Sequence, residues 1–195
     1  MSSMPLTNST GESNSEWFAL YTRHQHEKTV AGLLEEKGFE VFLPLYPAIH
    51  RWKDRYKKLL LPLYPGYVFL RDRLDWTLPV LTTPGVHWIV GTAGGPQPIP
   101  EFEIDAVKRV MESSLAVEPH PFLNCGDRVR VAQGPLEGIE GILLRKKNAF
   151  RLVLSMELLM KSVAVEVDAS MIERVSSGTW PRIEYSKTIE LRPEY

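Results

Sequence analysis

The chain has 195 residues, 44% of them apolar, and a net charge of −1. That length holds one large or two small domains, and so small a charge supplies no global field toward nucleic acid, so any such contact must come from local basic patches. The single cysteine, Cys125, excludes an internal disulfide framework. No apolar run approaches membrane-spanning length and the first residues lack an export pattern, so the expectation is a cytoplasmic protein with no membrane partner.

Residues 1–15 are rich in Ser, Thr and Asn with almost nothing to bury, and read as a disordered tail. Trp17 to Tyr21 reads as a buried strand. A helix is expected from about His24 to Lys37, with Val30, Leu33 and Leu34 at helical spacing and Gly38 as its C-terminal cap. Phe39 to Leu43 starts a second strand that runs toward His50. The segment Arg51 to Lys58 holds five Lys or Arg against one Asp and reads as a basic hairpin tip.

Next comes Leu61-Pro62-Leu63-Tyr64-Pro65-Gly66-Tyr67-Val68-Phe69-Leu70, an apolar strand broken by a Pro-Gly pair. Period-2 alternation puts Tyr67 and Phe69 on one face and Val68 and Leu70 on the other. The expectation is that one face packs against helices while the aromatic face stays open to a partner helix. A short helix fits between Leu74 and Thr83 if Asp75 or Thr77 caps it, because Pro79 is tolerated only in a first turn. Val86 to Val90 reads as a strand, Gly94-Gly95-Pro96 as a turn, and Pro100 opens a helix striped by Ile104, Val107, Val110 and Met111. This order predicts an α+β layer, a small mostly antiparallel sheet with helices on one face.

Residues 116–124 carry Pro119, His120 and Pro121 without periodicity and read as a linker between domains 16–115 and 125–175. From Gly126 onward, short strands alternate with turns, which argues a small β-barrel. Leu152 to Lys161 also fits a helix. Residues 176–195 form an extension without a clear period.

Chemistry is sparse. His24 and His26 would diverge on a helix and no further ligands cluster with them, so no metal site is expected. Cys125 and His120 lack a third residue and an oxyanion hole, and no phosphate-binding glycine loop or carboxylate pair stands out. The chain therefore reads as a non-enzyme with no catalytic residues and no cofactor. Basic residues interleaved with Trp52 and Tyr56 in 51–58 suit a phosphate backbone and unpaired bases, or else a solvated hairpin tip. Arg23, His24 and Lys28 form a second candidate patch.

Trp17-Phe18-Ala19-Leu20-Tyr21, Tyr64-Pro65-Gly66-Tyr67-Val68-Phe69, Pro84-Gly85-Val86 and the run Gly126 to Gly138, in this order and spacing, resemble the NusG family of transcription elongation factors. The resemblance implies a ferredoxin-like NGN domain followed by an SH3-like β-barrel, the KOW domain. It implies a binding site for the clamp helices of RNA polymerase at Tyr21, Tyr64, Pro65, Tyr67 and Phe69. It also implies contact with the non-template DNA strand at Arg23 and His24, with Lys28, Arg51, Lys53 and Arg55 as further DNA candidates.

A second partner, Rho or a small-subunit ribosomal protein, would meet the loop Leu158-Leu159-Met160-Lys161. There the family's usual aromatic residue and glycine appear as Leu159 and Met160, which leaves the choice between those partners open. The wording of Ala19 to His24, Leu136 to Leu143 and Ser162 to Asp168 is similar to specialised UpxY and RfaH-like antiterminators, some of which refold their C-terminal domain; the β-branched Val163 to Val167 favours the barrel. The rival expectation is a KOW-type RNA- or ribosome-associated binding protein without polymerase activity.

Overall fold

A computed structural model describes residues 15–52, 55–73, 77–122, 126–146 and 149–175. The tail and the 176–195 extension, Cys125, Asp75 and Lys53 lie outside the described residues, as do the side chains of Arg51 and Arg55.

The first half contains β1 (Glu16–Thr22), α1 (Glu27–Glu36), β2 (Glu40–Phe42), β3 (Leu45–Trp52), β4 (Arg55–Pro62), β5 (Tyr67–Asp72), α2 (Thr77–Leu81), β6 (Val86–Ile89), the two-residue strands β7 (Gly91–Thr92) and β8 (Gly95–Pro96), and α3 (Glu101–Glu112). Strands β2, β5, β1 and β6, in that order, form an antiparallel sheet with β5 and β1 at its centre. Because successive side chains alternate, Leu20, Val68 and Leu70 share one face. They pack with Val30, Ala31 and Leu34 of α1 and Val80 of α2. Trp17, Ala19, Tyr67 and Phe69 share the other face and pack with Ile104, Val107 and Val110 of α3.

Helices thus cover both faces, where one was expected. Both faces of β1 and β5 are apolar, and each must be removed from water. The predicted start of α1 at His24 is also corrected: Gln25 has φ of 61°, a left-handed conformation that a helix cannot run through. The helix begins after His26 and ends at Gly38, whose φ is 86°.

The strand expected to run from Phe39 toward His50 is two strands, broken at Leu43-Pro44. Beyond that break, β3 pairs among the described residues with β4 alone, from Leu45 opposite Pro62 to Trp52 opposite Arg55. The basic segment therefore lies along both strands of a ribbon that stands outside the main sheet.

The second half contains β9 (Val117–Pro121), β10 (Asp127–Val131), β11 (Glu140–Lys146), β12 (Ala149–Met156), β13 (Lys161–Val167) and β14 (Ile172–Arg174). They form one antiparallel sheet in the order β14-β10-β11-β12-β13-β9. Gly141 is required where β11 meets β12, since a Cβ there would lie 2.6 Å from the Val153 carbonyl oxygen. Val129, Val131, Leu152, Leu154, Val163 and Val165 fill its interior.

Two expectations change here. Most of the predicted linker is β9, which adds to the open edge of β13 with Val117 opposite Val165; an edge strand tolerates Pro119 and Pro121 because its outward side needs no N–H donors. The helix-compatible stretch Leu152 to Lys161 is strand to Met156, then a single 3-10 turn over Glu157–Leu159. Met160 closes that turn with φ of 48°. Seven cross-strand pairs between β12 and β13 outweigh the local helical propensity.

Candidate partner-binding site

The register of the first sheet builds a row of aromatic rings. Tyr21 of β1 stands opposite Tyr67 of β5 on one side and Trp88 of β6 on the other. Its ring meets Tyr67 edge-on at 5.4 Å, stacks on Trp88 at 4.4 Å, and lies 5.9 Å from His87. Tyr21 and Trp88 are half-buried, and His87 and Pro65 are exposed. Such rings offer a large contact area with few rotors to freeze, which suits recognition.

The Pro65-Gly66 turn that ends this row is held from below. Gly66 has φ of 85°, and an added Cβ would sit 3.3 Å from Tyr21 Cε2. Its N–H donates to Glu27 Oε1 at 2.7 Å, and its carbonyl accepts from the Thr22 N–H at 2.8 Å. Glu27, 4% exposed, thus ties the first turn of α1 to the aromatic row. In the sequence it simply follows His24-Gln25-His26, and nothing there marks it as buried.

The inner end of the same face is closed. Tyr64 and Phe69 are buried at 2% and 0% exposure, with Tyr67 at 7%. The rings of Tyr64 and Phe69 meet edge-on at 5.5 Å, and Phe42 lies 6.0 Å from Phe69. The expectation of an open aromatic face is therefore corrected: α3 lies over it, and the second half packs onto α3. Leu154, Met156, Leu158 and Leu159 belong to the same buried cluster as Tyr64, Phe69 and Val107.

Arg109 of α3 reaches across the junction. Its Nη2 donates to the carbonyls of Pro135 and Glu137 at 3.1 and 2.6 Å, in the turn between β10 and β11. A cavity of about 90 Å³ remains between the halves, bordered by Tyr64, Glu103 and Val107 on one side and by Arg128, Met156 and Glu157 on the other. Glu103 Oε2 is buried there with no hydrogen-bond partner among the described residues. Burial, and then the Glu157 carboxylate, push the Glu103 carboxyl up to about 8. Burial, reinforced by Glu103, raises the Tyr64 phenol as well.

The other predicted residues are scattered around this face. Arg23, His24 and Lys28 are exposed at the turn into α1, and Lys28 Nζ donates to the Leu60 carbonyl of β4 at 2.7 Å. In the loop 158–161, Leu158 and Leu159 are 2% and 4% exposed, and only Met160 and Lys161 face solvent. Sequence reasoning missed Trp88 and His87. Their strand, Val86 to Ile89, was recognised, but only the register with β1 shows that Trp88 extends the row.

Among the described residues no helix is long and apolar enough to cross a membrane. A family model described as transcription termination factor nusG matches residues 15–108. The transcription termination/antitermination protein NusG of Pseudomonas aeruginosa is 27% identical over 174 residues, covering 82% of this chain and 98% of that protein. Its counterpart in Staphylococcus epidermidis is 28% identical over 178 residues, covering 82% and 95%. A solved structure on domain interaction in Thermotoga maritima NusG matches in fold with a TM-score of 0.55 at 18% identity, covering 84% of this chain and 98% of that one. With its α+β first half and β-rich second half, the chain belongs to the NusG family of transcription termination and antitermination factors.

Proposed function

We propose that this chain is a non-enzymatic bacterial transcription elongation and antitermination factor, of the specialised UpxY or RfaH-like kind, that binds the clamp helices of RNA polymerase. The observation that carries this reading is the aromatic row Tyr67-Tyr21-Trp88, open at its outer edge beside Pro65 and continuous inward with Tyr64 and Phe69. An amphipathic helix pair laid along that row would bury rings already held in place, so little entropy is lost on docking. Binding the elongating state more tightly than the paused one shifts their populations without any bond being made.

Extending the contact inward to Tyr64, which borders the cavity between the halves, requires the second half to leave α3. That departure also frees Leu158 and Leu159, and joins polymerase binding to recruitment of Rho or a small-subunit ribosomal protein through 158–161. Arg23, His24 and Lys28 lie at the near end of the row, where the non-template strand would pass; Arg51, Lys53 and Arg55 extend the candidate DNA contacts.

The test is promoter-initiated transcription on a paused template with cognate polymerase and the full chain. The wild-type protein is expected to shorten the pause and to co-purify with polymerase. Tyr21→Ala combined with Trp88→Ala is expected to lose both effects, by about tenfold or more in affinity for two central aromatic anchors. Unaltered pausing with no co-purification by the wild-type chain would overturn the reading in favour of a KOW-type RNA- or ribosome-associated binding protein.

A further inference from the structure

Tyr64 to Tyr67 form a four-residue turn closed by the Tyr67 N–H, which donates to the Tyr64 carbonyl at 3.1 Å. Pro65 at its second position and Gly66 at its third, with φ of 85°, make it a type II turn. The commoner type I turn differs from it by a flip of one peptide, the one that joins Pro65 to Gly66. The N–H of that peptide belongs to Gly66, which is buried, and it takes no part in closing the turn. A buried donor left without an acceptor is costly.

Glu27 supplies the acceptor. From the first turn of α1 its Oε1 takes the Gly66 N–H at 2.7 Å, and the residue is only 4% exposed. In the flipped turn that N–H would point elsewhere and the bond would be lost. The flip would also reach the aromatic row. An added Cβ on Gly66 would lie 3.3 Å from Tyr21 Cε2, so the Tyr21 ring rests against this turn. Tyr21 in its turn carries the stack with Trp88 and the edge contact with Tyr67. On the other side of β1, the Gly85 carbonyl accepts from the Arg23 N–H at 2.8 Å, and Gly85 packs on Val30 of the same helix. Helix α1 thus supports both Pro-Gly turns that flank the row, one through a hydrogen bond and one through packing.

We propose that Glu27 is a positioning residue for partner binding: by accepting the Gly66 N–H it selects the type II turn, and so presents Pro65, Tyr67 and Tyr21 as one preorganised rim. A surface held in its bound geometry before the partner arrives loses less entropy on docking. The consequence for polymerase rests on the docking reading, whereas the hold on the turn is a property of the chain alone.

Three variants of the full chain separate this role from general stabilisation. Glu27→Met fills the same space without an acceptor, Glu27→Gln keeps an acceptor oxygen, and Leu34→Ala damages the core of the same helix away from the turn. A circular-dichroism melt sets a temperature at which all are folded. Polymerase affinity is expected to fall about tenfold in Glu27→Met, to stay within about threefold of wild type in Glu27→Gln, and to be unchanged in Leu34→Ala. In amide hydrogen exchange followed by NMR, the rate at Gly66 relative to that at Leu20 should rise about tenfold or more in Glu27→Met and in neither of the others. Full affinity in Glu27→Met, or an equal loss in Leu34→Ala, would overturn the role in binding. If the wild-type chain does not bind polymerase, the docking reading fails and the exchange ratio decides alone: a selective rise in Glu27→Met upholds Glu27 as the hold on the turn, and an unchanged ratio overturns it.

Discussion

The sheet of the first half buries both of its faces, one under α1 and α2 and the other under α3 and the second half of the chain. The first face is aliphatic: Leu20, Val68 and Leu70 against Val30, Leu34 and Val80, all at 0% exposure. Its cover follows within a few residues of the strands it protects, so the contacts are local and form with the domain. The second face is aromatic and graded, from Phe69 at 0% to exposed His87 at its rim. Much of its cover is borrowed from strands more than eighty positions away in sequence. An aliphatic face closed by its own helices is a permanent core, whereas an aromatic face closed by a separate layer can be uncovered without unfolding the sheet.

The largest effect separates the two faces directly. Leu34→Ala removes a fully buried side chain from the aliphatic face and should cost about 2–5 kcal/mol of stability, read in chemical denaturation. Because Leu34 is remote from the junction, the two halves should remain docked in the native protein, with an unchanged radius of gyration in X-ray scattering. Expansion of the native state by this substitution would show that the two faces are coupled and share one core.

Much of this contrast was legible in the chain itself. Period-2 alternation in Tyr67 to Leu70 divided aromatic from aliphatic side chains correctly, and the stripe Ile104, Val107, Val110 identified a helix in need of a surface. What alternation does not carry is which residues meet across strands or halves. Trp88 joined the row only through the register of β6 with β1, and Tyr64 and Phe69 share a buried cluster with α3 and with residues more than eighty positions away. For the same reason Pro119 and Pro121 suggested a linker: the strand they form exists only because β13 offers an unpaired edge. Nothing in the sequence marks Glu103, whose raised carboxyl comes from burial and from Glu157 of the second half.

A smaller effect comes from the junction. Arg109 is the side chain of α3 that grips two carbonyls of the β10–β11 turn, and hydrogen bonds from a charged donor contribute about 1.5–3 kcal/mol where water is excluded. Arg109 is partly exposed, so Arg109→Ala should weaken docking of the halves by about 1–2 kcal/mol and leave the sheet intact. The radius of gyration should rise, and binding of polymerase by the full chain should strengthen. Weaker polymerase binding by this variant would mean that the second half supports the aromatic face and does not occlude it.

The smallest effect is a dependence on pH, and its sign follows from Glu103. Its carboxyl is raised to about 8 in the docked structure; released to water it should return toward about 4.3. The docked state therefore holds a proton that the open state gives up. Below about pH 4 both states are protonated and docking is at its strongest; as pH rises from there toward 8, opening becomes progressively easier, and above that the penalty is constant. Arg128 borders the same cavity and attracts the ionised form, while Glu140 and Glu157 repel it. Only part of the burial comes from the second half and the site retains some access to solvent. The net change between pH 6 and pH 8 should thus be on the order of 1 kcal/mol toward the open arrangement. Scattering across that range should show the wild-type chain expanding with pH, and Glu103→Gln, which cannot ionise, should hold its radius constant. A Glu103→Gln variant that expands with pH as the wild type does would assign the titration to another group and leave the two faces equally permanent.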